Sequence, residues 1–392
     1  MKPLMRPLTV AALLFQVGAH PTAGVAETGA QSAGRSTVTD SASIRSDAVR
    51  RSIAAIEAEV AAATSGDWNR WFESLAPFRA EMRSKVAAGR ASGGTFLLEA
   101  EGHPPLLEDP NDVQYLWEDG NLDEWLARRT SLEGIVQAAR WLQKRNIDVI
   151  FAPVPKMTEV YADRMARNVP TDRRVAPQVR RLLVELLKKD VEVVDLLPLF
   201  QAASQEGAEP LYFADDSHWS PRGQAIAVKA IADRLQRYSF VRDAVARPAA
   251  FRDKPVVSTF GTGAWRVFLT PEQLAQIRDY SWHGVEILDL NDQPVAPAET
   301  SPVILIGDSF TSVALNPGMS LDALLAHELN MPVSRRSASG GTIDAIKDFA
   351  REPALLENRR VVVWVTYNGS VMSSVARWSL PNLPERTADK AK

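Results

Sequence analysis

Several short runs are apolar at nearly every position instead of at every second one: IDVIFAPVP (147–155), VEVVDLL (191–197), PVILIG (302–307) and RRVVVWVTY (359–367). A strand of that kind has no water-facing side, so both its faces must be covered. Between the runs lie helical stripes. Leu132, Ile135, Val136, Ala139 and Leu142 recur at three, four, seven and ten residues, and helices are expected around Val179–Lys189, over Pro221–Arg237 and across LDALLAHEL (321–329). GVEILDL (284–290) and MPVSRRS (331–337) read as further strands. Alternation of this type specifies an α/β fold, a mostly parallel sheet with helices on both faces. Such sheets carry their reactive groups beyond the carboxyl ends of the strands. Ser309, directly after the run VILIGD, stands at such a place.

The chain has 392 residues, 45% of them hydrophobic, enough for one large α/β domain with additions or for two domains. A formal net charge of −3 gives no global attraction to nucleic acid. The basic pairs Arg128/Arg129, Arg173/Arg174, Arg180/Arg181, Arg335/Arg336 and Arg359/Arg360 are either solvated faces or parts of a patch for an acidic substrate. Cysteine is absent, which excludes thiol catalysis, disulfides and cysteine-bound metal. At the amino terminus, Lys2 and Arg6 precede PLTVAALLFQVGA, a stretch too short to span a bilayer comfortably, with small residues at Gly24 and Ala26. Residues 1–26 therefore read as a secretory signal cut near Ala26, or retained as an inner-membrane anchor, with the body outside the cytoplasm. Residues 27–92 read as a flexible and helical lead-in: Gly, Ser, Thr and Ala up to about Ser46, then helix from Asp47 to Gly89 with Ile53, Ile56 and Val60 on one stripe. GTFLLEAEG (94–102) reads as a strand, HPPLLEDPNDVQYLWEDGN (103–121) as an irregular loop, and residues 381–392 as a polar tail.

A serine hydroxyl attacks nothing until a base takes its proton, and that base must be held by a third group. Five histidines are available. His20 belongs to the signal, His327 projects away from its helix's leucines, and His103 and His283 have no evident chemical companion. His218 differs. It stands in YFADDSHWSPRGQ, with Ser220 as N-cap and Pro221 as the first residue of a helix anchored by Val228, Ile231 and Leu235. Asp215 and Asp216 are both within reach of its ring, and spacing does not choose between them. Trp219 is a packing residue or a platform for a sugar ring. One suitable histidine and no cysteine cannot furnish the usual three protein ligands of a catalytic zinc without several carboxylates, and no metal or other cofactor is expected.

GDSF (307–310) after a strand resembles the first motif of the SGNH, or GDSL-type, hydrolase superfamily. DSHW (216–219) upstream of it is more specific and resembles the alginate O-acetyltransferase family (AlgJ and AlgX), in which an Asp-x-His-Trp element precedes the serine. APVPKMTEVYADRM (152–165) is similar to that family's Val-Pro-x-Lys segment, and the stretch from Met319 to Val365 follows its pattern after the serine. The resemblance covers roughly residues 93 to 380. It implies an SGNH-like acetyltransferase domain there, nearer the short AlgJ form, with Ser309 as nucleophile, His218 as base and Asp216 as orienter. It further implies an acetyl-serine intermediate, a membrane-bound O-acyltransferase as acetyl donor, an exopolysaccharide such as alginate as acceptor, and other exopolysaccharide biosynthesis proteins as partners. Gly340 and Gly341 follow a strand and either bind an oxyanion together with the Ser309 amide or simply form a turn. The superfamily's oxyanion asparagine has no clear counterpart, so Tyr367 and Asn368 are candidates for its place. The same triad with water as second nucleophile is an esterase or polysaccharide deacetylase, and a non-catalytic polysaccharide-binding subunit is a reading of another class.

Overall fold

The computed structural model describes residues 37–380 and 383, apart from 92–95, 101–102, 110, 112, 119, 208, 260–265, 267–268, 276, 278–279, 338–342 and 374–377. Residues 1–26, read above as a signal, most of the stretch read as a polar tail and the pair Gly340/Gly341 fall outside the described residues. Nine strands are present among them: β1 (Phe96–Ala100), β2 (His103–Glu108), β3 (Asp148–Val154), β4 (Glu192–Val193), β5 (Phe251–Ser258), β6 (Trp282–Asp289), β7 (Val303–Gly307), β8 (Ser334–Ser337) and β9 (Val361–Tyr367).

Five of them form the central sheet in the order β4-β3-β9-β7-β8, every neighbouring pair parallel. All of β7 is buried, and so is β9 up to Thr366, because helices cover both faces and every side chain meets apolar neighbours. The helix Ser131–Gln143 buries Ile135, Val136, Ala139 and Leu142, and the helix Pro177–Lys188 buries Val179, Leu182, Leu183 and Leu186. β9 lies centrally, between β3 and β7. The three carboxyl ends that meet there are Val154, Gly307 and Tyr367, where an open α/β sheet builds its site.

Three expectations change. GVEILDL does not join the central sheet: β6 pairs antiparallel with β5 as a separate ribbon. The partner strand FRDKPVVS is mostly exposed and polar, and an antiparallel pair tolerates water on one side where a parallel strand does not. Within HPPLLEDPNDVQYLWEDGN, residues 103–108 form β2, paired antiparallel with β1 in a register that sets Leu106 and Leu107 opposite Leu98 and Leu97. The first helix begins at Thr37, inside the stretch read as flexible, and runs to Thr64. Ile56 and Val60 on it are buried, and Glu59 receives Arg180 at 3.0 Å from both Nε and Nη2. Among the described residues no helix is long and apolar enough to cross a membrane.

Candidate active site

β7 ends in Gly307 at φ +150°, where an added Cβ would lie 1.7 Å from the carbonyl oxygen of Val365 on β9. Only glycine permits that approach. Asp308 follows as the N-cap of a 3₁₀ turn, Ser309–Thr311, with one carboxylate oxygen accepting the Phe310 N–H at 3.0 Å. Its other oxygen accepts the Thr366 hydroxyl at 2.8 Å and the Tyr367 N–H at 3.0 Å. Burial pushes the Asp308 carboxyl up, and these three donors pull against that rise. The acid of GDSF is thus a strut fastening the serine turn to the end of β9. Ser309 is left half-buried at the first position of the turn.

His218 arrives from a loop sewn to itself. Tyr212 and Trp219 form an antiparallel bridge, the Phe213 N–H donates to the His218 carbonyl at 3.0 Å, and the Ser220 N–H to the Leu211 carbonyl at 2.9 Å. Ser220 caps the helix Pro221–Leu235, as its position before Pro221 predicts: its hydroxyl accepts the Gly223 N–H at 3.3 Å and donates to the Pro210 carbonyl at 2.6 Å. The histidine is therefore fixed to a packed helix on one side and to a bridged loop on the other.

The imidazole Nε2 lies 2.7 Å from Ser309 Oγ, and its Nδ1 lies 2.7 Å from Asp216 Oδ1. The same oxygen accepts the His218 backbone N–H at 3.1 Å. An ionised carboxylate only accepts, so Nδ1 carries the proton and Nε2 presents its lone pair to the serine hydroxyl. Spacing left two acids in play, and the fold separates them: Asp215, 3% exposed, pairs with Arg266 instead. Phe310 completes the surroundings, with its ring 4.7 Å from the imidazole, edge-on to Trp219 at 5.2 Å and stacked on Tyr367 at 5.6 Å.

The remaining candidates have other places. Trp219 is 1% exposed and offers no face to a sugar; its large ring is consumed in packing against Phe310. Asn368 is buried and gives its amide to Glu159, at 3.2 and 2.9 Å, so it does not serve as the oxyanion donor of the superfamily. Tyr367 backs Phe310, and the ammonium of Lys156 lies 4.8 Å from its ring centre. His283 is exposed with Nδ1 3.1 Å from Glu209, and His327 is half-buried on its helix. Of the basic pairs, Arg180 is held by Glu59 and Asp195, Arg335 by Asp322, and Arg359 by the carbonyls of Ser301 and Glu299. Arg173 lines a cavity of about 720 Å³, together with Lys85, Arg164, Arg167 and Asp163.

Sequence reasoning quoted Lys156 and Glu159 only within the segment 152–165 and gave neither a role. Lys156 is 2% exposed and 3.0 Å from Glu108, itself fully buried. Glu159 is 1% exposed, accepts the Tyr115 hydroxyl as well as the Asn368 amide, and is pushed up to about 7 by burial. The available signal was charge next to proline and apolar residues at the end of a buried strand, in APVPKMTEV (152–160).

Among solved structures, one described as the O-acetyltransferase domain of Pseudomonas putida AlgJ is similar with a TM-score of 0.52 at 17% identity, covering 70% of this chain and 92% of that one. That likeness shows a common fold. Pseudomonas aeruginosa AlgX (TM-score 0.45, 15% identity, 70% of this chain and 62% of that one) and Bacillus cereus PatB1 with a sulfonyl adduct (TM-score 0.44, 13% identity, 71% and 96%) are looser matches. No curated protein matches significantly. The family model described as "SGNH hydrolase-like domain, acetyltransferase AlgX" matches residues 118–366, a span that holds β3, the DSHW loop, the GDSF turn and all but the last residue of β9. With well over half of its length so matched, the chain belongs to the AlgX family of SGNH hydrolase-like acetyltransferases.

Proposed function

We propose that this protein is a periplasmic O-acetyltransferase that carries an acetyl group on Ser309 and delivers it to hydroxyls of an exopolysaccharide, alginate first among them. The observation that carries the reading is the unbroken contact series Asp216, His218, Ser309, with both links at 2.7 Å. His218 Nε2 takes the proton of Ser309 as Oγ attacks the acetyl carbonyl carbon; the donor's leaving oxygen departs with that proton. A sugar hydroxyl then loses its proton to the same nitrogen and attacks the acetyl-serine, and Ser309 Oγ recovers the proton as the product ester leaves. The Ser309 N–H, first in its turn and without an acceptor inside it, is a donor for the oxyanion formed in each half-reaction. The donor is a membrane-bound O-acyltransferase, because an enzyme beyond the cytoplasm does not draw on cytosolic acetyl-CoA, and other exopolysaccharide biosynthesis proteins are its partners. The basic cavity at Arg164, Arg167 and Lys85 supports an acidic polymer as acceptor.

Mass spectrometry of the intact protein after exposure to an aryl acetate tests the reading. An acetyl adduct on Ser309, discharged by an acceptor oligosaccharide into an O-acetylated product and absent in Ser309→Ala, is the expected result. An adduct that persists in Ser309→Ala, or polymer acetylation that survives the substitution, would overturn it. Ser309 and the His218 ring keep some exposure, the latter 16%, which favours water as a competing acceptor. Acetate released in preference to acetylated oligosaccharide would assign the protein as an esterase.

A further inference from the structure

The end of β9 lies between the serine turn and a buried charged group on the other side. Tyr367 and Asn368 continue directly from β9, and both are held by the segment that follows β3. Lys156 places its ammonium 4.8 Å from the Tyr367 ring centre, and Glu159 accepts the Asn368 amide at 2.9 Å. Lys156 is in turn fixed by Glu108 at 3.0 Å, both side chains at most 1% exposed. Burying a cation and an anion is costly, and replacing such a pair with apolar groups is commonly neutral or stabilising, so the fold alone does not call for it. What the pair faces is the back of the site. Tyr367 is stacked on Phe310 at 5.6 Å with 23° between the planes, Phe310 is 4.7 Å from the His218 ring, and the Tyr367 N–H is anchored on Asp308 beside Ser309.

We propose that Lys156, held by Glu108, is a positioning residue for the acetyl-transfer site: its cation–π contact fixes the Tyr367 ring, which through Phe310 sets the imidazole of His218 against Ser309. A cation over an aromatic face in a dry site is worth more than at the surface, and it restrains the ring's tilt as well as its position. The ring stack then transmits that restraint to a histidine whose proton transfer depends on geometry of a few tenths of an ångström. Glu159 fixes the neighbouring Asn368 and so keeps the backbone after β9 in register with the turn.

This inference rests on the Ser309 mechanism, and its test separates the two. Kinetics of aryl acetate turnover are measured for Lys156→Met/Glu108→Gln, which removes both charges together and leaves no lone buried ion, for Tyr367→Leu, and for the triple variant. The expected result is a kcat about tenfold lower in the charge-free variant with KM unchanged. Tyr367→Leu is expected to fall at least as far, and the triple variant no further than Tyr367→Leu alone, since each change breaks the same contact. Lys156→Arg, which keeps the cation, retains more turnover than the charge-free variant. A charge-free variant with wild-type kcat, losses that multiply in full in the triple variant, or a change confined to KM would each overturn the proposal. If the charge-free variant does not fold, the cycle between Lys156→Gln/Glu108→Gln, which also removes both charges, and Tyr367→Leu decides the matter: independent effects there overturn it. Should Ser309→Ala retain turnover, the mechanism itself fails. Should Ser309→Ala be inactive while the cycle shows no coupling, only this inference fails.

Discussion

Replacing Asp216 by asparagine removes one charge and little else. The oxygen that faces His218 accepts two N–H groups, the backbone at 3.1 Å and Nδ1 at 2.7 Å, and an amide oxygen turned to them accepts both. What disappears is the negative charge opposite the imidazolium that the proposed mechanism forms in both half-reactions. With charge centres about 4 Å apart and an effective dielectric of about 20, that attraction is worth about 4 kcal/mol, which corresponds to a fall of about 10³ in turnover. Asp215→Asn is the control. Its partner Arg266 is 45% exposed, so the lost ion pair contributes at most about 1 kcal/mol of stability and touches neither the base nor the serine. Turnover of an aryl acetate and acetylation of an oligosaccharide, measured for both variants with thermal midpoints alongside, should show a loss near 10³ for Asp216→Asn and less than about threefold for Asp215→Asn. Equal losses, or the reverse order, would refute the assignment of Asp216 as orienter.

Gly307→Ala forces a methyl group to within 1.7 Å of the Val365 carbonyl, and parting β7 from β9 should cost more than about 3 kcal/mol; a wild-type denaturation midpoint would show that the strands separate freely. Glu159, pushed up to about 7, stays protonated in the fold while it ionises in the unfolded chain, so its presence lowers stability as pH rises from its ordinary value of 4.5 toward 7, by on the order of 3 kcal/mol. Glu159→Gln should flatten that decline in urea unfolding at pH 5 and pH 7.5, and an unchanged slope would remove Glu159 as its cause. Lys85→Gln with Arg167→Gln should weaken binding of a uronate hexasaccharide about three- to tenfold and leave its carboxyl-reduced counterpart unaffected in calorimetry at low salt; equal effects on both ligands would show that the cavity does not read charge.

The strands β3, β7 and β9 were legible because each is apolar at nearly every position, a pattern that solvent-facing strands do not show. Ser309 was legible from the glycine, acid and hydroxyl after such a run, and His218 from the Ser-Pro helix start beside it. The choice between Asp215 and Asp216 was not legible in spacing, because either carboxylate can reach an imidazole from a loop; Asp215 turns away to Arg266, 51 residues along the chain. Lys156 and Glu159 were not singled out because a charged residue in a loop is ordinarily solvated, and only the packing of β2, β9 and the helix Pro177–Lys188 around them makes their burial visible. Trp219 was left with two readings for a related reason. A tryptophan beside a catalytic motif serves a sugar or a core equally well in sequence, and only its neighbours decide.

His218 and Ser309 are 91 positions apart, and the described residues between them include three helices, the β5–β6 ribbon and the strand β7. No fragment short of that span can hold both atoms at contact distance. Catalytic output is therefore a gauge of cooperative integrity: a nick or a local melting anywhere in the connecting polypeptide that lets the two ends drift should silence the protein before its spectroscopic helicity changes appreciably.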